Sequence, residues 1–168
     1  MTKAPLVTIL GVGNFLYTDE GFGIHVVKRL ISRYHFPDHA RVVDGGVLGI
    51  NLLGIISQPR HLIVVDIVRN GQPPGTFHRL AGTDIPRRIR TKNSLHQIDL
   101  PEALALCAAL DHVPETVILG VEPEDMTSIG IVPTARLQAL INPMMERVLA
   151  ELRLLNVPYW KRSGEKCA

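Results

Sequence analysis

Short apolar runs ending near glycine or aspartate alternate along this chain with longer stretches whose apolar residues recur every three or four positions. That is the rhythm of a sheet buried on both faces and wound with helices. The runs fall at residues 6–10, 41–43, 62–65 and 117–121. Between the first two, Phe22, Val26, Leu30 and Tyr34 stand four apart while Lys28, Arg29 and Arg33 fall elsewhere, which predicts an amphipathic helix over 21–34. Residues 47–56 are apolar nearly all round and predict a short buried helix ahead of Pro59. Asn70-Gly71 and Pro73-Pro74-Gly75 then signal turns, after which 76–80 is expected to return antiparallel to its predecessor and make the sheet mixed. Residues 81–93, with Pro86 and a basic cluster, read as an irregular surface loop leading to Ser94-Leu95-His96. Asp99 and Pro101 ahead of the Ala/Leu-rich stretch 102–110 supply a helix cap and an early proline. Asn142-Pro143 is expected to open a last helix that runs to about Leu155, where Asn156 and Pro158 stop it.

Length and composition narrow the picture. A chain of 168 residues is one domain's worth, so 1–168 is read as a single α/β domain with a frayed tail at 163–168. Its 18 basic and 16 acidic residues leave a formal charge of +2, and apart from Arg87, Arg88 and Arg90 the basic residues are scattered, which argues against a nucleic-acid partner. Only Cys107 and Cys167 are present, too few for a disulfide framework or a cysteine-rich zinc site. The N-terminus carries no signal-peptide pattern, and no run approaches the roughly 20 apolar residues of a membrane span. A cytoplasmic protein without a membrane partner is expected.

In a mostly parallel sheet, the loops after the strands share one edge, and ligands bind in the crevice there. Four polar loops qualify: the one from Gly11-Val12-Gly13-Asn14 to Asp19-Glu20-Gly21, then Asp44-Gly45-Gly46, Asp66, and Glu122-Pro123. The first opens like a dinucleotide fingerprint but places Leu16 where a third glycine should stand. Asp19 and Glu20 would also meet a pyrophosphate with like charge. The ordinary role for these two acids is to complement the N-terminal end of the following helix. For Asp44 it is a turn, for Asp66 a cap, and for His96 a solvated loop position. Gly45 and Gly46, at a strand end, mark either a backbone lying close to an extended substrate or a need for positive φ. If Glu20, Asp66 and His96 do converge, two hard oxygens and an imidazole suit a borderline divalent ion such as Ni, Zn, Mn or Co. No Gly-x-Ser-x-Gly elbow, His-Glu-x-x-His helix or phosphate-binding Gly-Lys-Ser/Thr loop is present, so nucleophilic serine or cysteine catalysis gains no support.

The series Gly11-Val12-Gly13-Asn14-Phe15-Leu16, Asp19-Glu20-Gly21-Phe22-Gly23, Val43-Asp44-Gly45-Gly46, Leu62 to Asp66, Ser94-Leu95-His96-Gln97 and Gly120-Val121-Glu122-Pro123 resembles the nickel-iron hydrogenase maturation endopeptidases, in the family's order. The resemblance spans about residues 6–123. It implies a three-layer α/β/α sandwich around a mostly parallel five-stranded sheet with one antiparallel strand. It also implies removal of the C-terminal extension of the hydrogenase large-subunit precursor after nickel insertion, with Glu20, Asp66 and His96 as metal ligands. The nickel is then either a catalytic ion that polarises the scissile carbonyl or the substrate's own ion serving as a recognition element. The second version is preferred here, because three protein ligands suit a shared ion. Asp44 is a weaker candidate for the base that activates water, and Asn14, Gly45 and Gly46 are candidate substrate-binding positions. The alternatives are a nickel-dependent chaperone of the large subunit that does not cut it and, behind it, a nucleotide-binding α/β protein.

Overall fold

Strand β1 (Val7–Val12) is buried along its length, and its alternate side chains feed two separate apolar cores. Val7 and Ile9 belong to one core and Leu10 to the other, the period of two that an extended chain imposes. The computed structural model describes residues 6–46, 51–82, 84–85, 108 and 113–162. After β1 come a 3-10 turn (Thr18–Gly21), α1 (Phe22–Arg33), β2 (Tyr34–His35), β3 (Ala40–Gly46), α2 (Asn51–Ile56) and β4 (His61–Ile67). They are followed by β5 (Phe77–Ala81), β6 (Glu115–Val121), α3 (Ala135–Leu154) and β7 (Trp160–Lys161). Five strands form one sheet in the order β3-β1-β4-β6-β5, all parallel except β5. This is the mostly parallel α/β sheet expected from the sequence.

Strand β5 returns antiparallel to β4 and makes the sheet mixed, as expected, and the strand it hydrogen-bonds is β6, which lies between the two. The connection between β4 and β5 turns at Gly71 (φ 75°) and Gly75 (φ 87°). It spans two inter-strand gaps, about 10 Å, and leaves a place that β6 fills. The β2–β7 pair, a small antiparallel ribbon, has no signal in the hydrophobic pattern because each strand is only two residues long.

On one face of the sheet, Phe22, Val26 and Leu30 of α1 pack with Leu137, Ile141, Met144, Val148 and Leu152 of α3 over Ile63, Val65, Leu119 and Val121. The four-residue spacing read from the sequence is thus the buried face of α1. The other face packs Ile56 of α2 with Leu10, Leu62, Val64, Leu80 and Ile118. Helix α3 opens at Ala135 after Pro133-Thr134, not at Asn142-Pro143. Pro143 sits inside it on the exposed face, where its missing N–H leaves a carbonyl that water can reach; Ala139, four residues back, is also exposed. Arg79 of β5 clasps Glu151 of α3 with two bonds of 2.7 and 3.1 Å, tying the antiparallel edge to this helix. Residues 47–50, most of the 81–93 loop, nearly all of the predicted 102–110 helix, His96 and the 163–168 tail lie outside the described residues.

The strand order fixes where a ligand site belongs. From β1 the chain passes through α1 to β3 on one side, then returns to β4 on the other side of β1 and continues outward to β6. The direction of winding therefore reverses between β1 and β4, and the crevice of such a sheet opens at the carboxyl ends of those two strands.

Candidate active site

The turn after β1 is fixed by contacts that leave no room for side chains. Gly13 takes φ 144°, and a Cβ there would lie 1.8 Å from the Glu20 carbonyl oxygen. A Cβ on Gly23, in the first turn of α1, would lie 2.2 Å from the Val65 oxygen and 2.6 Å from the Val12 oxygen. Glycine at both positions lets the 3-10 turn and the start of α1 settle directly onto the ends of β1 and β4. Glu20 is carried by that turn, and Asp66 is the next-to-last residue of β4, one position beyond Val65. The two acids therefore flank the reversal of the sheet, and both are half-buried. The Asp66 carboxylate accepts the N–H of Ile67 at 2.7 Å.

Asp19, one residue before Glu20, is wholly buried. Its Oδ2 accepts the N–H groups of Glu124 and Asp125, each at 2.8 Å, and the Thr134 hydroxyl at 3.3 Å, while its Oδ1 accepts the Thr134 N–H at 2.8 Å. The Thr18 hydroxyl adds a bond to the Asp125 carbonyl at 2.9 Å. Asp19 is thus a clamp that binds the turn after β1 to both ends of the segment between β6 and α3. Its sequence reading as an acid serving the helix end missed this, because the donors lie more than a hundred residues away. Glu122, just past β6, is also buried, and its Oε1 accepts the N–H groups of Asn70 (2.6 Å) and Gln72 (3.1 Å) and faces His78 Nε2 at 3.1 Å. It organises the β4–β5 connection.

Asp44 is exposed at the end of β3; it accepts the Gly46 N–H at 3.1 Å and stands 3.6 Å from Lys28 Nζ. That bond is the turn contact expected for this residue. Gly46 takes φ 51°, and among the described residues nothing lies within 4 Å of where its Cβ would stand. Gly45 is different: a Cβ there would meet the Gly11 oxygen at 2.7 Å and Leu10 Cδ1 at 2.8 Å. The crowding at Gly45 thus comes from the neighbouring strand. Asn14 uses its side-chain oxygen to accept the Leu16 N–H at 3.0 Å, shaping the turn between β1 and Glu20. His96, the third proposed ligand, lies outside the described residues. Among the described residues no three His, Cys, Asp or Glu groups come together as a metal site.

Glu20 and Asp66 thus lie at the reversal of a mostly parallel sheet, beside closely packed glycines, and comparison with known proteins gives this fold a family. A family model of hydrogenase maturation proteases matches residues 24–151. The chain belongs to the hydrogenase maturation protease family. It is 39% identical over 150 residues to the hydrogenase 2 maturation protease of Escherichia coli, covering 88% of this chain and 90% of that protein. It is 38% identical over 164 residues to the hydrogenase expression/formation protein HoxM of Azotobacter vinelandii, covering 96% and 79%. The fold superposes with a TM-score of 0.86 on the hydrogenase maturating endopeptidase HybD from E. coli, at 36% identity and with 94% and 98% of the two chains covered. The protein is accordingly a hydrolase of the protease class. No described helix is long and apolar enough to cross a membrane.

Proposed function

We propose that this maturation protease removes the C-terminal extension of a nickel-iron hydrogenase large-subunit precursor once nickel has been inserted, working as a single domain in the cytoplasm. Glu20, Asp66 and His96 engage the nickel that the precursor carries, so the ion arrives as part of the substrate. The observation that carries this reading is the placement of Glu20 and Asp66 on either side of the reversal between β1 and β4. Two carboxylates and one imidazole are a donor set suited to nickel. Contacts made to the ion itself give the protease its checkpoint, because an empty precursor lacks what Glu20, Asp66 and His96 engage. Gly45, Gly46 and Asn14 line the path of the extended chain, and Asp44, the acid at the end of β3, is the candidate to activate water.

The test is incubation of the purified protein with nickel-loaded and nickel-free precursor, followed by intact-mass measurement. Mass should be lost from the C-terminus of the loaded precursor alone. Stable binding of the loaded precursor without any loss of mass would overturn the reading in favour of a chaperone. Equal cleavage of both forms would remove the nickel-recognition role from Glu20, Asp66 and His96.

A further inference from the structure

Ten large hydrophobic residues are exposed among the described residues, and five of them, Leu16, Tyr17, Ile129, Ile131 and Val132, belong to two segments that lie side by side. Single exposed hydrophobics are normal on a protein surface, whereas a cluster of this kind marks a contact site. Tyr17 and Ile129 form an antiparallel bridge, and the Gly130 N–H donates to the Leu16 carbonyl at 2.9 Å. Ile129 is 83% exposed and Leu16 61%.

The segment that carries Ile129, Ile131 and Val132 is held at both ends and in the middle. Asp19 grips the N–H groups of Glu124, Asp125 and Thr134. Asp125 in turn accepts the N–H groups of Thr127 and Ser128, and His25 Nε2 meets the Ile131 carbonyl at 3.1 Å. Most of these anchors use backbone groups of the segment, so its outward side chains are free of any fastening role. A rigid surface has already lost the conformational freedom that binding would otherwise remove.

We propose that this platform docks an apolar segment of the precursor protein, beside the bond that is cut. The inference rests on the proposed function for the identity of the substrate. Its position favours this occupant: Leu16 and Tyr17 lie in the same loop as Glu20, between β1 and α1, so a chain bound there is continuous with the candidate active site. Its size does as well. The five side chains expose on the order of 500 Å², typical of a functional patch on a monomer and below the ~800 Å² per partner of a stable dimer. A protease that must release its product needs a contact of that limited extent.

The experiment uses the full chain with Ile129→Asp and Ile131→Asp, singly and together, and with Trp160→Asp as an exposed apolar control remote from the platform. Binding to immobilised nickel-loaded precursor and its cleavage are measured in parallel, with melting temperature and size-exclusion elution for each variant. The platform variants should bind at least about ten-fold more weakly and raise KM by a similar factor. Their kcat and melting temperature should stay near wild type, and Trp160→Asp should leave all values in place. Wild-type KM in the double variant would overturn the proposal, as would a wild-type dimer that the variants dissociate without change in KM. If the wild type binds but does not cut, the proposed function falls, while loss of that binding in the variants still upholds the docking surface. Absence of binding by the wild type would overturn both.

Discussion

Asp19 and Glu20 are neighbours in sequence and chemically almost identical, yet they sit in opposite circumstances. Asp19 is sealed from water and meets four donors contributed by Glu124, Asp125 and Thr134. Glu20 is half-buried, on the same edge of the sheet as Asp66. Glu122 repeats the first circumstance at the end of β6, where it gathers the N–H groups of Asn70 and Gln72. Burial thus separates the acids of one edge: Asp19 and Glu122 are sealed in and hold loops in place, while Glu20 and Asp66 keep partial access to solvent.

The largest expected effect comes from breaking the first group. Asp19→Ala leaves the N–H groups of Glu124, Asp125 and Thr134 without their acceptor, and at about 1 kcal/mol for each part-buried donor the loss is about 3 kcal/mol. The melting temperature should fall by roughly 10 °C. Glu20→Gln and Asp66→Asn, by contrast, should lower precursor cleavage by about a hundred-fold or more while shifting the melting temperature by no more than about 2 °C. Calorimetry and cleavage assays on all three variants check the division. A Glu20→Gln protein that melts as early as Asp19→Ala would erase it.

The two adjacent glycines of β3 sharpen the same contrast at smaller scale. Gly45→Ala drives a methyl into the Gly11 carbonyl and should cost about 1–3 kcal/mol. Gly46→Ala meets nothing within 4 Å among the described residues and bears the strain of a positive φ, about 1 kcal/mol. Urea unfolding of both variants should show the larger loss at Gly45, and the reverse order would mean that β3 can shift away from β1.

The smallest effect is in pH. Burial, reinforced by Lys28 and Arg29, pushes the His25 pKa below its ordinary 6.5, against the opposing pull of the Ile131 carbonyl. The unfolded chain therefore binds a proton more readily than the folded one. The stability held by neutral His25 is complete above about pH 6.5 and is lost as pH falls from there towards the folded value. Thermal melts between pH 5 and 8 should show a downward step on the acid side that His25→Gln flattens.

Much of the architecture was legible because it rests on local patterns. Phe22, Val26 and Leu30 gave α1 its buried face, with Tyr34 falling just beyond it in β2, and the aliphatic run ending at Asp66 marked β4. The glycines after β1 read in sequence only as an incomplete dinucleotide fingerprint, and the fold shows that Gly13 and Gly23 lie against the Glu20 and Val65 backbones. What stayed hidden depends on contacts between distant parts of the chain. The partner of β5, the start of α3 ahead of an internal proline, the Arg79–Glu151 clasp and the Asp19 clamp all require knowing which strands become neighbours. The exposed cluster around Ile129 was invisible for the same reason, since its two halves are separated by over a hundred residues.

The clamp at Asp19 also has a consequence for how this protein can change. It grips the backbone of the 124–134 segment near its two ends and bonds to none of the side chains at 129, 131 and 132. Those three positions can therefore exchange side chains without moving the turn that bears Glu20. Recognition of a different precursor is open to drift or redesign there, while the reactive end of the molecule stays as it is.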